Sequence, residues 1–369
     1  MTIETLFEDI SQCTEWLTPE EILATYPEVI VFGTGQAGLS LNEVLTDFNV
    51  NILYFVDNDE SKHGLDFLGK EVKSPTALAG ETRPILIASY WARDIAEQLQ
   101  DIGSQYFDFS FCVDFNRWKN HFNWQCFNIN AAIKTGERYL KGNDLLSYLG
   151  CLRYRQTYDP LYLTIPNCEH YIHTLVTPMS SDVYIDGGAW QGDTLHELKQ
   201  LLGNEIEIHS FEPDESNFKQ LSNLITNQKL PNCYIHKKAL WNQETTLNFF
   251  NSSNAVHTMQ ARVSTELNPN IMTKVQVAAI TLDSYCQTLE RTPTYIKLDV
   301  EGAEPQVLEG ATILINTSAP KLAISAYHEP NHIWELMEQI ALLNTNYQFF
   351  FVHHSQQLFE SVIYSKVDA

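Results

Sequence analysis

Hydrophobic residues in this chain fall in short unbroken runs separated by longer stretches of helical period. Residues 29–32, 51–56 and 84–88 are continuously apolar enough to be strands covered on both faces, as in a parallel sheet with flanking helices. Residues 33–48 read as a turn plus a helix between the first two. Ahead of them lies a short helical lead to about residue 26, in which Thr18-Pro19-Glu20-Glu21 supplies a helix start. The alternation resumes at Asp182, with strands expected at 183–185, 206–211, 233–235, 294–298 and 321–326 and a helix at 332–342. The last segment changes character. Residues 347–353 and 359–365 form two strands about a turn at Ser355-Gln356-Gln357, a hairpin that closes an otherwise parallel sheet. The predicted class is α/β, with two tandem Rossmann-like domains. One spans 1–115 and the other 181–369, joined by a mainly helical, aromatic-rich region over 116–180.

Composition narrows the classes of partner. The 23 basic and 46 acidic residues leave a net charge of -23, a surface that repels phosphate backbones and anionic membranes, so nucleic acid is not an expected partner. Seven scattered cysteines without a CxxC pair point to reduced thiols and a cytoplasmic setting. The acidic start of the chain is not expected to act as a secretory signal, and no apolar run approaches the roughly 20 residues needed to span a bilayer.

Two glycine turns follow buried strands. In the first, GTGQAG (33–38) places Gly33, Gly35 and Gly38 after a strand, and Asp57 ends the next strand about 20 residues on, the pattern of a dinucleotide-binding turn. A Rossmann-like turn that binds nothing, or another nucleotide, fits the same residues equally well. In the second, VYIDGGAWQGDT (183–194) runs from a strand through Asp186, Gly187, Gly188 and Gly192 to Thr194, and Glu212 ends the following strand. Glycines that admit a ligand to the backbone, a helix N-terminus and a strand-end carboxylate suit a nucleoside with a ribose diol and a charged tail.

Further on, YIKLDVEGAE (295–304) puts Lys297 and Asp299 on one face of a strand, with Asp299 at its carboxyl end, where open α/β sheets place their chemistry. A structural salt bridge is the expected role of Lys297. Asp299 and Glu301 beside a nucleoside site point to chemistry. His328-Glu329-Pro330-Asn331-His332 matches the HExxH zinc pattern, which requires a helix. Pro330 starts a helix here rather than sitting inside one, so the two histidines are expected to point differently. His328 is then an active-site candidate at a strand end, and His353-His354 an exposed pair.

These residues resemble the FkbM-type family of S-adenosylmethionine-dependent methyltransferases. The resemblance rests on residues 183–194, FEP (211–213), 296–304, QVLEG (306–310), YHEP (327–330) with Ile333-Trp334, and the closing hairpin, and it covers the chain from about residue 144. It implies S-adenosylmethionine on Asp186, Gly187, Gly188, Gly192, Thr194 and Glu212, the last at the ribose. Asp299, Glu301 and His328, with Lys297, would face a methyl acceptor. It also implies O-methylation of a sugar or glycosylated small molecule. An alcohol, about as weak an acid as water with a pKa of roughly 15.7, calls for a base or a divalent metal. Asp299 or His328 could take the proton, or Asp299 and a neighbouring carboxylate could hold the ion. The first glycine turn, with VDND (56–59) and GKEV (69–72) after it, resembles small nucleotide-sugar-binding domains attached to sugar-modifying enzymes. An NAD-linked oxidoreductase built on that turn is the alternative.

Overall fold

A computed structural model describes residues 2–13, 16–164, 166, 168–252 and 272–368. The chain divides into two compact units, Met1–Asn167 with Phe351–Ser361, and Cys168–Phe350 with Val362–Ala369.

In the first unit two helices, α1 (Ile3–Gln12) and α2 (Pro19–Thr25), precede the sheet. Thr18 caps α2 reciprocally with Glu21, and Pro19 occupies the first turn, where its missing N–H costs nothing. The sheet strands are β1 (Glu28–Phe32), β2 (Asn51–Val56), β3 (Asp66–Phe67), β4 (Lys70–Lys73), β5 (Ile85–Ile87) and β6 (Tyr106–Asp108), in the order β3-β4-β2-β1-β5-β6. Strands β2, β1, β5 and β6 run parallel. Helix α3 (Gln36–Asp47) crosses from β1 to β2, and α4 (Ala92–Ile102) from β5 to β6. The aromatic stretch that follows carries α5 (Phe115–Trp118), α6 (Ile129–Tyr139) and α7 (Gly142–Thr157). Phe109, Phe111, Phe122 and Tyr158 stack together there, and Tyr154 donates to the buried Asp108.

The second unit is built on β7 (Val183–Gly187), α8 (Asp193–Leu202), β8 (Glu207–Phe211), α9 (Glu215–Gln228) and β9 (Cys233–His236). Next come β10 (Ala239–Leu240), β11 (Thr245–Ser252), β12 (Met272–Ile280) and α10 (Leu282–Cys286). Then follow β13 (Tyr295–Leu298), α11 (Glu304–Glu309), α12 (Thr312–Ser318), β14 (Lys321–Ser325), α13 (His332–Leu343), β15 (Gln348–His353) and β16 (Ser361–Lys366). The main sheet has the order β15-β16-β14-β13-β7-β8-β9, parallel from β14 to β9, with β16 antiparallel to β14. A parallel sheet closed by a terminal hairpin is what the hydrophobic pattern predicted, and a methyltransferase sheet with an antiparallel end is what the family resemblance implied. A second sheet, β10-β12-β11, was not anticipated. Residues 183–187 are buried throughout, as expected of a central strand covered on both faces.

One expectation fails outright. His353 is not exposed. It is 1% accessible, with Nδ1 2.9 Å from Ser361 Oγ and Nε2 2.7 Å from the Gln357 carbonyl, and burial pushes its pKa down to about 4. Among the described residues no helix is long and apolar enough to cross a membrane. All seven cysteines are free thiols.

Candidate functional site

Strands β7 and β13 are neighbours in register, and this pairing builds the site. Lys297 lies opposite Asp186, so the buried ammonium reaches Asp186 Oδ1 at 3.0 Å and the Gly188 carbonyl at 2.8 Å. The salt bridge expected of Lys297 therefore runs across strands to Asp186, not along its own strand to Asp299. Burial would lower the Lys297 pKa, but Asp186 and Asp299 hold it raised. Asp186 is fully buried and also accepts from Ser210 at 3.4 Å.

Beyond Asp186 the chain turns. Gly188 has φ +74°, and a Cβ there would lie 1.9 Å from the carbonyl oxygen of Asp299. The glycine is thus required by close packing of the turn on the end of β13, which brings the turn and Asp299 together. Gly187 packs against Leu298 and Leu240, and Gly192, the N-cap of α8, against Leu221 and Leu224. Thr194 is buried in the first turn of α8. Trp190 adopts a left-handed backbone (φ 47°), unusual for a bulky residue and a mark of local constraint. Its N–H donates to Glu212 Oε2 at 2.9 Å, while Asp214 N–H donates to Oε1 at 2.8 Å. Burial pushes the Glu212 carboxyl up to about 7, against the lowering effect of those two amides.

At the end of β13, Asp299 is partly buried and takes four neighbours. Tyr171 donates to Oδ2 at 2.9 Å and Tyr327 to Oδ1 at 3.3 Å; His328 Nε2 stands 3.3 Å from Oδ1, and Lys297 adds its field. Burial would raise the Asp299 pKa, but His328 and Lys297 hold it lowered. Glu301 (φ 58°) and Gly302 (φ 99°) fold the chain back, bringing Glu301 Oε2 to 3.8 Å from His328 Nε2. Glu304 is fully buried at the start of α11. Its Oε1 accepts from Val300 and Gly302 N–H at 2.9 and 3.4 Å and lies 2.9 Å from His328 Nδ1. Burial would lower His328, yet Glu304, Glu301 and Asp299 raise it to about 9. The two histidines do not diverge as expected from Pro330. His328 and His332 both approach Glu304, His332 Nδ1 at 3.4 Å from Oε2, although no helix carries both.

Tyr171 was missed in sequence. It lies in the segment expected to be connecting helix, and only the fold carries it to Asp299 and to Ser325 Oγ at 3.0 Å, with its ring 5.1 Å below the Lys297 ammonium. His170 stacks on Tyr171, and burial lowers its pKa to about 4. Glu304 was visible in the motif, but its spacing gave no sign that it would anchor His328.

In the first unit, Gly33 (φ +121°) and Gly38 are required by contact, a Cβ at either falling against a backbone carbonyl at 2.2 or 2.3 Å. Gly35 faces open space. Asp57 is already engaged. Oδ2 accepts from the Thr34 hydroxyl and from Lys62 at 2.9 Å, and Oδ1 from Asp59 N–H at 2.9 Å. The acid thus also pins the glycine turn.

Residues 186–351 match the model of the methyltransferase FkbM domain, and residues 25–106 the model described as C2185-like, N-terminal. No curated protein matches the chain. Among solved structures, methyltransferase FkbM from Methylobacillus flagellatus KT is similar over 98% of both chains, at 20% identity and a TM-score of 0.71. UDP-D-quinovosamine 4-dehydrogenase from Vibrio fischeri is similar over 22% of this chain and 77% of its own, at 23% identity and a TM-score of 0.21. Fibrillarin from Aeropyrum pernix, solved with bound S-adenosyl-L-methionine, is similar over 50% of this chain and 66% of its own, at 12% identity and a TM-score of 0.33. The last two superpose too loosely to bear on function. Residues 186–351 thus carry a methyltransferase FkbM domain, and the likeness to the Methylobacillus flagellatus structure shows that the whole chain shares its fold.

Proposed function

We propose that the chain transfers the methyl group of S-adenosylmethionine to a hydroxyl oxygen of a saccharide or glycosylated small molecule. The observation that carries this reading is the packing of Gly188 on the Asp299 carbonyl, which sets the cofactor turn beside a carboxylate-lined strand end. Glu212, with two backbone amides fixing its oxygens, holds the ribose diol. Asp186 acts through Lys297, whose ammonium ties the turn's Gly188 carbonyl to β13. Gly187, Gly192 and Thr194 shape the turn and the helix start. In the reaction the acceptor oxygen forms a bond to the methyl carbon as the carbon–sulfur bond breaks. S-adenosylhomocysteine leaves, and the hydroxyl proton passes to Asp299. His328, set between Asp299, Glu301 and Glu304, serves as their electrostatic partner and not as the base. In-line positioning supplies much of the remaining rate.

For the first unit, the open space over Gly35 at the start of α3 favours a nucleotide or nucleotide-sugar ligand. The same unit holds a cavity of about 370 Å³ lined by Tyr90, Trp91, Arg93, Leu163, Thr164 and His354. The engagement of Asp57 weighs against NAD and its hydride chemistry. The test is incubation with methyl-labelled S-adenosylmethionine and a panel of free, nucleotide-linked and lipid-free glycosylated acceptors, read by mass spectrometry. Label in a glycosylated product supports the reading; label only in non-sugar acceptors overturns the acceptor class.

A further inference from the structure

Three carboxylates crowd one buried imidazole. His328 is 1% accessible, and its Nε2 points between Asp299 Oδ1 at 3.3 Å and Glu301 Oε2 at 3.8 Å. Neither ring nitrogen makes an aligned hydrogen bond, although carboxylate oxygens lie within ion-pair range of both. On the opposite edge Nδ1 meets Glu304 Oε1 at 2.9 Å, and Glu304 is itself fixed by the Val300 and Gly302 amides, with His332 against its other oxygen. Ligand atoms of Asp299, Glu304 and His328 all lie within 4.8 Å of one another.

This is the arrangement of a metal-binding histidine, whose free nitrogen is oriented by a carboxylate while the other faces the ion. Cis ligands of an octahedral ion bonded at about 2.1 Å stand about 3 Å apart; Asp299 Oδ1 at 3.3 Å from Nε2 is near that spacing, and Glu301 Oε2 at 3.8 Å reaches it by a side-chain adjustment of under about 1 Å. The left-handed backbone of Glu301 is the local strain that folds this carboxylate back toward His328.

We propose that His328 Nε2, Asp299 and Glu301 bind a divalent cation of the Mg2+ or Mn2+ class, with Glu304 as the residue that orients the imidazole from Nδ1. Two carboxylates and one imidazole favour such oxygen-preferring ions, and three protein ligands leave positions for water and an acceptor hydroxyl. The bound ion takes the place of any proton on Nε2. The proposal deepens the methyl-transfer reading at the same site, but its test does not depend on turnover.

The full chain, stripped with a chelator, is titrated with Mn2+ and followed by electron paramagnetic resonance, alongside separate calorimetry with S-adenosylmethionine. One Mn2+ per chain is expected, with hyperfine coupling to an imidazole nitrogen. Glu301→Gln weakens Mn2+ at least tenfold and Glu304→Gln ten- to hundredfold, each with S-adenosylmethionine binding retained as the check on folding. Absence of Mn2+ binding, binding without imidazole coupling, or equal affinity in Glu301→Gln overturns the site. If a variant fails to fold, the imidazole coupling in the wild type decides alone. Loss of S-adenosylmethionine binding with intact Mn2+ binding instead counts against the methyl-transfer reading and leaves the metal site standing.

Discussion

Cofactor affinity is predicted to depend on pH through Glu212. Burial raises this carboxyl to about 7, and only its ionised form can accept both ribose hydroxyls while keeping the Trp190 and Asp214 amides. Affinity falls in proportion to the ionised fraction, so between pH 8 and pH 6 the dissociation constant for S-adenosylmethionine rises about tenfold. The stability sign is opposite. Glu212 binds its proton more tightly folded than unfolded, so its contribution to the ligand-free fold is full below the ordinary carboxyl range and is lost as pH rises through about 7. Glu212→Gln removes a charged acceptor worth about 1.5–3 kcal/mol, roughly a ten- to hundredfold loss of affinity, and also removes the titrating group. Isothermal titration at pH 6, 7 and 8 on both proteins checks this. The ligand's own amine titrates equally in the two series, so the difference in slope belongs to Glu212. A wild-type affinity that is flat over this window, or a Glu212→Gln slope as steep as the wild type's, would refute the reasoning.

Gly188→Ala, with φ +74° and a Cβ 1.9 Å from the Asp299 carbonyl, costs about 1–2 kcal/mol in backbone strain before the clash is counted, and S-adenosylmethionine binding should vanish in calorimetry while circular dichroism stays native. Lys297→Met leaves Asp186 buried without its counter-ion and should destabilise the protein by about 3–5 kcal/mol in urea unfolding, part of which Asp186→Asn in the same chain restores. Tyr171→Phe deletes the hydroxyl shared by Asp299 and Ser325. It should cost about 1–2 kcal/mol of stability and lower kcat more than it raises KM, measured by steady-state methyl transfer.

The parallel strands were legible because burial on both faces writes them as unbroken apolar runs. β7, β8, β13 and β14 all fall within a residue or two of where the pattern put them. The terminal hairpin was legible for the same reason. β11 and β12 were not, since runs such as Thr245-Thr246-Leu247-Asn248 mix polar and apolar residues as an exposed ribbon does. In the site, strand-end acids announced Asp299 and Glu212, because sheet topology fixes where strand ends lie. The partners did not announce themselves. Lys297 meets Asp186 only through the pairing of β13 with β7, and Tyr171 reaches Asp299 across 128 positions of sequence. Asp57 shows the same limit: its type and spacing were legible, while its partners Thr34 and Lys62 were ordinary neighbours in the text of the chain.

The most direct test of methyl transfer to oxygen is turnover with carbon-13-methyl S-adenosylmethionine and a glycosylated acceptor, followed by nuclear magnetic resonance of the product. The chemistry at Asp299 predicts a single labelled methoxy carbon on a sugar ring and one S-adenosylhomocysteine per methyl transferred, both abolished in Asp299→Ala. A label found on nitrogen, sulfur or carbon, or a methoxy product made equally fast by Asp299→Ala, would contradict it.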